Sequence, residues 1–281
     1  MRVVIIGQGQ LGYSLSLLTR WPSVGGKKSY ESGFREVIAI NPDLVINCAG
    51  STAISQNLTS ARDNYLGNYR FVQTLTNICI KHKFKLLHIS TNAVFKTQNA
   101  ISFYRTSDRK VQDSFYGRSK FLGEKCLSKL GNRGKILRLT SLYGNSNSNF
   151  FSRLADQVYK ASSVDVFDNV YSQPTSCICA SLVIKNLVSD WMNFDAQDYH
   201  FACNYVYSKY EQAEIFSREF PASKFGQHQW KLRRLSKDQP EYRLLLTDKA
   251  LQKNCRCISL KKGLRQFDWT RQRASTIASH R

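Results

Sequence analysis

The sequence predicts an α/β protein built on a doubly wound parallel sheet, with a smaller α/β region toward the C-terminus. Three observations carry this. A short apolar run, Val3-Val4-Ile5-Ile6, opens directly into the glycine turn Gly7-x-Gly9-x-x-Gly12. Apolar strand-like segments then alternate with helix-periodic ones through the first half of the chain, the rhythm of βαβ units. Tyr116 and Lys120 follow, four residues apart, behind a strand-like segment that ends at Thr91. The expected organisation is a Rossmann-like dinucleotide-binding part with its catalytic helix over 1–145, a mainly substrate-binding region over 146–270 that can return strands to the main sheet, and a basic tail over 271–281.

Taken in order, Val3–Ile6 reads as a buried strand, and Leu11–Arg20 as a helix that Gly12 lets close on the sheet. Only 29 residues separate Gly12 from Pro42, and the stretch Trp21–Lys28 has no strand pattern. The expectation is therefore a reduced adenosine-side region. Glu31 has the spacing of a ribose-reading acid but not its flanks, while Lys27 and Lys28 suit either a 2′-phosphate or an exposed loop. Leu44–Asn47 reads as a strand, Ala61–Lys83 as a long helix, and Leu86–Ser90 as another strand. Asp113 or Ser114 can cap the helix carrying Tyr116 and Lys120. Ile136–Thr140 is the next strand. Beyond Gly144 the reading is helices at Phe150–Ala161, Ser181–Met192 and Ser208–Phe220, strands at Val164–Phe167 and Tyr199–Cys203, and a mixed, charged stretch at Gln229–Leu246.

Composition bounds the function. With 281 residues, 42% of them hydrophobic, the chain suits one large domain or a domain with an annex. No apolar run approaches the roughly 18 residues of a membrane span, and the N-terminus enters a strand without a cleavage pattern; a soluble cytoplasmic protein is expected. Eight cysteines include two C-x-C pairs, but there is no C-x-x-C and no His-x-x-x-His. Reduced core thiols and no metal site are expected. The net charge of +21 is scattered rather than blocked. It would suit polyanions or phosphate-bearing ligands, but no nucleic-acid motif accompanies it, so nucleic acid is disfavoured as a partner.

The motifs supply the chemistry. Glycines at 7, 9 and 12 let the backbone turn tightly beneath a helix N-terminus, whose free N–H groups favour a pyrophosphate. A tyrosine can protonate a carbonyl oxygen when its phenol is activated, and a lysine one helical turn away shares its face and favours the phenolate. Leu86-Leu87-His88-Ile89-Ser90-Thr91 delivers a hydroxyl at a strand end, where it can hold the same oxygen. His88 faces away from Ile89 by alternation and reads as a buried, satisfied histidine rather than a catalyst.

These residues resemble a known pattern. Gly9-Gln10-Leu11-Gly12, Pro42 through Ala49, Asn64-Tyr65-Leu66-Gly67-Asn68, His88 through Phe95, Tyr116 through Glu124, Leu137 through Gly144 and Tyr171-Ser172-Gln173-Pro174-Thr175 are together similar to the extended short-chain dehydrogenase/reductases, and within them to the dTDP-4-dehydrorhamnose reductase family. The resemblance implies reduction, by NADPH or NADH, of a 4-keto-6-deoxy sugar on a nucleoside diphosphate. It implies Tyr116 as the acid, Lys120 as its partner and Thr91 as the carbonyl holder. It implies a cofactor bed of Gly7, Gly9, Gln10, Leu11, Gly12, Ala49 and Gly50 together with Tyr116 and Lys120. The chain departs from the pattern in a first turn one residue shorter, in Asn92-Ala93 after Thr91, in Leu142 where an aromatic residue is expected near the sugar, and in Gln239-Pro240 for an Arg-Pro pair. An NAD-dependent epimerase or dehydratase of the same superfamily, and a non-catalytic binding or regulatory subunit on the same scaffold, stay open as alternatives, as does a homodimer. A dehydratase needs an acid beside the strand-end hydroxyl, which Asn92-Ala93 does not supply.

Overall fold

The structure is a computed structural model, and it describes residues 1–25, 30–52, 57–146, 149–221, 224, 230–252 and 257–267. The first half runs β1 (Val3–Ile6), α1 (Gln10–Thr19), β2 (Ser23–Val24), α2 (Tyr30–Ile40), β3 (Leu44–Asn47), α3 (Leu58–Asn64), a π-helical segment (Tyr65–Arg70), α4 (Phe71–Lys81), β4 (Lys85–Thr91), β5 (Phe103–Tyr104), α5 (Phe115–Cys126) and β6 (Gly134–Leu139). The second half runs β7 (Leu142–Tyr143), α6 (Phe150–Lys160), β8 (Ser163–Phe167), β9 (Tyr171–Ser172), β10 (Thr175–Ser176), α7 (Cys177–Ser189), β11 (Asp198–Phe201), β12 (Tyr207–Ser208), α8 (Lys209–Glu219), β13 (Lys231–Leu235), β14 (Leu244–Leu245), α9 (Lys249–Gln252) and α10 (Leu260–Leu264).

The main sheet has the order β11-β6-β4-β3-β1-β2, with every pair parallel. Because β1, β3 and β6 are buried along their whole length, apolar residues occupy both faces rather than alternating, with Asn47, Lys135 and Arg138 as buried polar exceptions. The pleat sorts those side chains between two cores. Val3, Ile5, Leu44, Ile46, Leu87, Ile89, Leu137 and Leu139 pack under α1 and α7. Val4, Ile6, Val45, Leu86 and Ile136 pack under α2 and α4. A third core gathers Tyr143, Phe151, Leu154, Phe216 and Leu264 in the second half. Strand order reverses at β1: β2 lies on one side of it and β3 on the other. A doubly wound sheet opens its ligand crevice at the carboxyl ends of the two strands flanking such a switch point, which here means beside Gly7 and Cys48–Gly50.

Three readings need correction. The region between Gly12 and Pro42 does contain a second strand. β2 pairs with β1 through Ile5↔Ser23 and Ile6↔Val24, and Gly7 N–H donates to Val24 O at 3.0 Å. It escapes a search by pattern because it is two residues long, between Pro22 and a left-handed Gly25, and only Val24 is buried. The long helix begins at Leu58, capped by Asn57, and carries a π-helical segment in its middle. The helix expected from Ser181 starts at Cys177, because Ser176 caps it by accepting from Ile178 N. Within the charged stretch, β13 pairs parallel to β8 and β14 parallel to β5. Lys27, Lys28 and the 271–281 tail lie outside the described residues, as does Cys255; the seven other cysteines are not joined in disulfides.

Candidate active site

The glycine turn is built by close approach. Gly7 has φ +101°, and a Cβ on it would lie 2.5 Å from Ala49 N; one on Gly12 would lie 2.0 Å from Gly7 O. The turn and the start of α1 are thereby pressed onto the segment leaving β3. Gly9 is different. Its φ is −68°, and nothing lies within 4 Å of where its Cβ would stand. It caps α1 with no side-chain hydrogen bond, and the first turn holds no acidic residue. A bare, glycine-capped helix start opening on space fits the pyrophosphate of a dinucleotide. Of the other residues expected in this bed, Leu11 buries its side chain in the core, so only its backbone faces a ligand. The Gln10 side chain donates to Leu142 O at 3.4 Å and accepts from Asn149 Nδ2 at 3.4 Å, tying the turn to the second half of the chain.

Ala49 and Gly50 carry the bed toward α5. A Cβ on Gly50 would sit 2.7 Å from Asn68 Oδ1 and 4.0 Å from Lys120 Nζ. The Ser114 hydroxyl caps α5 by accepting from Gly117 N at 3.0 Å. Asp113 instead accepts from Thr97 and Arg243. Gly117 and Gly123 let α5 lie close: their Cβ positions fall 2.0 Å from Ala93 O and 2.3 Å from Asn68 O. Asn68, on the π-helical segment, clamps the two sides of the crevice. Its Oδ1 accepts from Ser51 N at 2.9 Å, and its Nδ2 donates to Ser51 O and to Ser119 Oγ, each at 3.0 Å. A π-helical segment often marks such a functional position.

Thr91, Tyr116 and Lys120 are brought together at the carboxyl end of β4. The Thr91 side chain lies near enough to the Tyr116 phenol to act on it. Lys120 Nζ donates to Ile89 O at 2.7 Å and lies 3.4 Å from His88 Nε2. Burial pushes the Tyr116 phenol up, with the Thr91 contact opposing. This is the reverse of the expected lowering by Lys120: desolvation of the phenol is the larger influence, and Thr91 is what opposes it. Burial also pushes Lys120 down to about 8, against the carboxylate of Glu124 and the thiol of Cys48. His88 is buried, as its alternation predicts, and burial with the nearby Lys120 and Arg138 charges holds it well below the usual imidazole range.

Sequence reasoning missed the support behind this trio. Glu124, one turn beyond Lys120, accepts from Ser90 Oγ at 2.6 Å and from Arg138 at 2.8 and 2.7 Å; Arg138 also pairs with Asp198 at 2.6 Å. These contacts join α5 to β4, β6 and β11. The signal was there as charged residues inside apolar strands, which persist only when paired. Asn92 departs from the family's acid, and its amide donates to Arg243 O at 2.6 Å. Among the described residues no cluster of His, Cys, Asp or Glu is arranged to hold a metal, and no helix is long and apolar enough to cross a membrane.

Comparison with known proteins agrees with this architecture. The dTDP-4-dehydrorhamnose reductase of Aggregatibacter actinomycetemcomitans is 27% identical over 196 residues, 68% of this chain and 66% of that protein. Its counterpart from Sinorhizobium fredii is 24% identical and covers 70% of each chain. The dTDP-4-keto-6-deoxy-D-glucose reductase of Streptomyces niveus is 28% identical over 52% of this chain and 51% of its own. Among solved structures, the Bacillus anthracis dTDP-4-dehydrorhamnose reductase in complex with NADP superposes with a TM-score of 0.79 at 22% identity, covering 95% of this chain and 98% of that one. The UDP-glucuronic acid 4-epimerase of Bacillus cereus, with NAD, also reaches 0.79 at 15% identity, covering 96% and 99%. These two likenesses establish the shared fold. The family described as RmlD substrate binding domain matches residues 28–253, from just before α2 to just past α9, and the chain belongs to that family.

Proposed function

We propose that this protein is an NAD(P)H-dependent reductase of a nucleoside-diphosphate-linked 4-keto-6-deoxy sugar, acting in nucleotide-sugar synthesis. The observation that carries it is the gathering of Thr91, Tyr116 and Lys120 at the end of β4, with Ala49 and Gly50 spanning from Lys120 to the glycine turn. The relatives named as dTDP-sugar reductases support the substrate class. When bound, the nicotinamide cofactor supplies the hydride. Gly7, Gly9 and Gly12 would hold its pyrophosphate, and Ala49, Gly50 and Lys120 would border its other end. Tyr116, kept protonated by its burial, donates its phenolic proton to the sugar's carbonyl oxygen. Thr91 holds that oxygen through its hydroxyl. Lys120 stabilises the phenolate left behind and is the near source for its reprotonation. Asn92 is a neutral amide bound to backbone, so no acid stands beside Thr91 for elimination; this favours reduction over a dehydratase. Cytoplasmic location and assembly as a homodimer belong to the same proposal, tested by fractionation and light scattering.

The test is nicotinamide fluorescence titration followed by turnover on a panel of nucleotide-linked 4-keto sugars. Binding of NADPH or NADH and consumption of at least one sugar are expected. Tyr116→Phe should lower kcat by about 10²–10⁴-fold while cofactor affinity stays within about twofold. Unchanged turnover in that variant would remove Tyr116 as the proton donor.

A further inference from the structure

The reductase reading leaves one buried side chain at the site without a duty. His88 is wholly buried on β4, directly across the sheet from Asn47, the last residue of β3. Asn47 has its orientation fixed from outside: its Oδ1 accepts from Ala49 N–H at 3.0 Å, a group that can only donate. The amide nitrogen is therefore the atom facing His88 Nδ1, at 2.9 Å. Since Asn47 donates in this contact, Nδ1 carries no hydrogen, and the neutral imidazole keeps its proton on Nε2. Nε2 in turn lies 3.4 Å from Lys120 Nζ. An ammonium there would set donor against donor. A neutral amine would accept the imidazole N–H with its lone pair and still donate to Ile89 O at 2.7 Å.

We propose that His88, held in one tautomer by Asn47, is a positioning residue that biases Lys120 toward the neutral amine and so readies it to part with its proton. The remaining groups around the pair divide. Arg138, from β6, discourages a second positive charge on His88. Glu124, on α5, and the Cys48 thiol after β3 favour the Lys120 ammonium, but Arg138 holds Glu124 through two hydrogen bonds. Tyr116, on the same helix, is the group that Lys120 serves. Burial works in the same direction as the imidazole, and Lys120 sits at about 8. The amine would then gain and lose its proton within the working range instead of storing it as a bulk-exposed lysine does. The proposal rests on the reading of Lys120 as the partner of Tyr116, but its central claim concerns two side chains of the isolated protein.

The experiment is nuclear magnetic resonance on the full chain, with ¹⁵N-labelled histidine and ¹³C-labelled lysine, followed by pH–rate profiles. In the wild type, His88 is expected as the Nε2–H tautomer through neutral pH, and Lys120 should titrate well below a free lysine. In His88→Gln, whose amide can rotate to offer an oxygen, the Lys120 midpoint should rise by about one pH unit, and the alkaline limb of kcat/KM should move with it. A merely structural histidine would lower kcat without moving either midpoint. Finding the wild-type proton on Nδ1 would overturn the proposal even if the variant failed to fold, and so would a folded His88→Gln protein with an unmoved Lys120 midpoint. Were the lysine shift present but turnover on keto sugars absent from the wild type, the reductase reading would fall and this one would stand.

Discussion

Gly9 and Gly12 share one turn under opposite constraints. A methyl group on Gly12 would meet the backbone oxygen of Gly7 at 2.0 Å, so the turn or α1 must move. One on Gly9 would meet nothing of the chain, at a φ any residue adopts. Gly12→Ala should therefore cost about 1–3 kcal/mol of stability, as overpacking does, visible as a lower urea midpoint. Gly9→Ala should change stability by no more than about 0.5 kcal/mol but weaken dinucleotide binding about tenfold, roughly 1.4 kcal/mol, because its methyl occupies the space into which the helix start opens. A Gly9→Ala protein that binds cofactor normally would show that the pyrophosphate lies elsewhere. The turn motif alone ranks these glycines equally; only their neighbours separate a packing glycine from a ligand-facing one.

At the scale of elements, the site depends on how closely α5 lies against its neighbours. Gly117 and Gly123 permit the approach, and Asn68 fixes it by bonding both Ser51 and Ser119. Asn68→Ala introduces no clash but removes the three hydrogen bonds to Ser51 and Ser119, at a cost of about 1–3 kcal/mol. The same change should reduce kcat, since Ser51 follows the cofactor-side loop and Ser119 accompanies Lys120 on α5. Chemical denaturation and steady-state kinetics together check this; a stability loss below about 0.5 kcal/mol would mean that Asn68 is not the clamp. The π-helical segment that places Asn68 coincides with a five-residue step from Leu66 to Phe71, where Phe71, Leu75 and Cys79 follow at four, and a reading of one regular helix over 61–83 passes over that step.

For the molecule as a whole, burying imidazoles ties stability to pH. His200, on β11, donates from Nδ1 to Tyr104 O at 3.1 Å and takes Arg138 Nη1 at Nε2 at 3.3 Å, an arrangement for the neutral ring. Burial, then the Arg138 charge, pushes it down to about 3, and His88 is depressed for the same reasons. The unfolded chain protonates both near 6.5. Below that pH the unfolded state binds more protons than the folded one, so their contribution is complete above about 6.5 and drains away as pH falls toward 3. Urea midpoints should decline between pH 7 and 5, above the range where carboxylates titrate, and His200→Gln should flatten part of that decline. An equal slope in the variant would assign the loss to other groups. His200 stands beside the Glu124–Arg138–Asp198 network, which links α5 to the far edge strand, so acid weakens the sheet and the site's support together.

The sequence by itself determined the buried parallel strands, through short apolar-rich runs, and the common face of Tyr116 and Lys120, through one turn of helix. It also narrowed the cap of α5 to Asp113 or Ser114, because a side chain and the backbone it serves are neighbours in the chain; the structure chose Ser114. These are local or periodic properties, legible without knowing what lies across the sheet. Tertiary structure alone decided the two-residue β2, the pairing of Asn47 with His88 and of His88 with Lys120, the reach of Asn68 across the crevice, and the burial of Arg138 between two carboxylates. Each depends on strand order and register between segments distant in sequence. The free energy of a buried polar contact is set by the partner that register brings within hydrogen-bond distance, and no spacing along the chain encodes that partner.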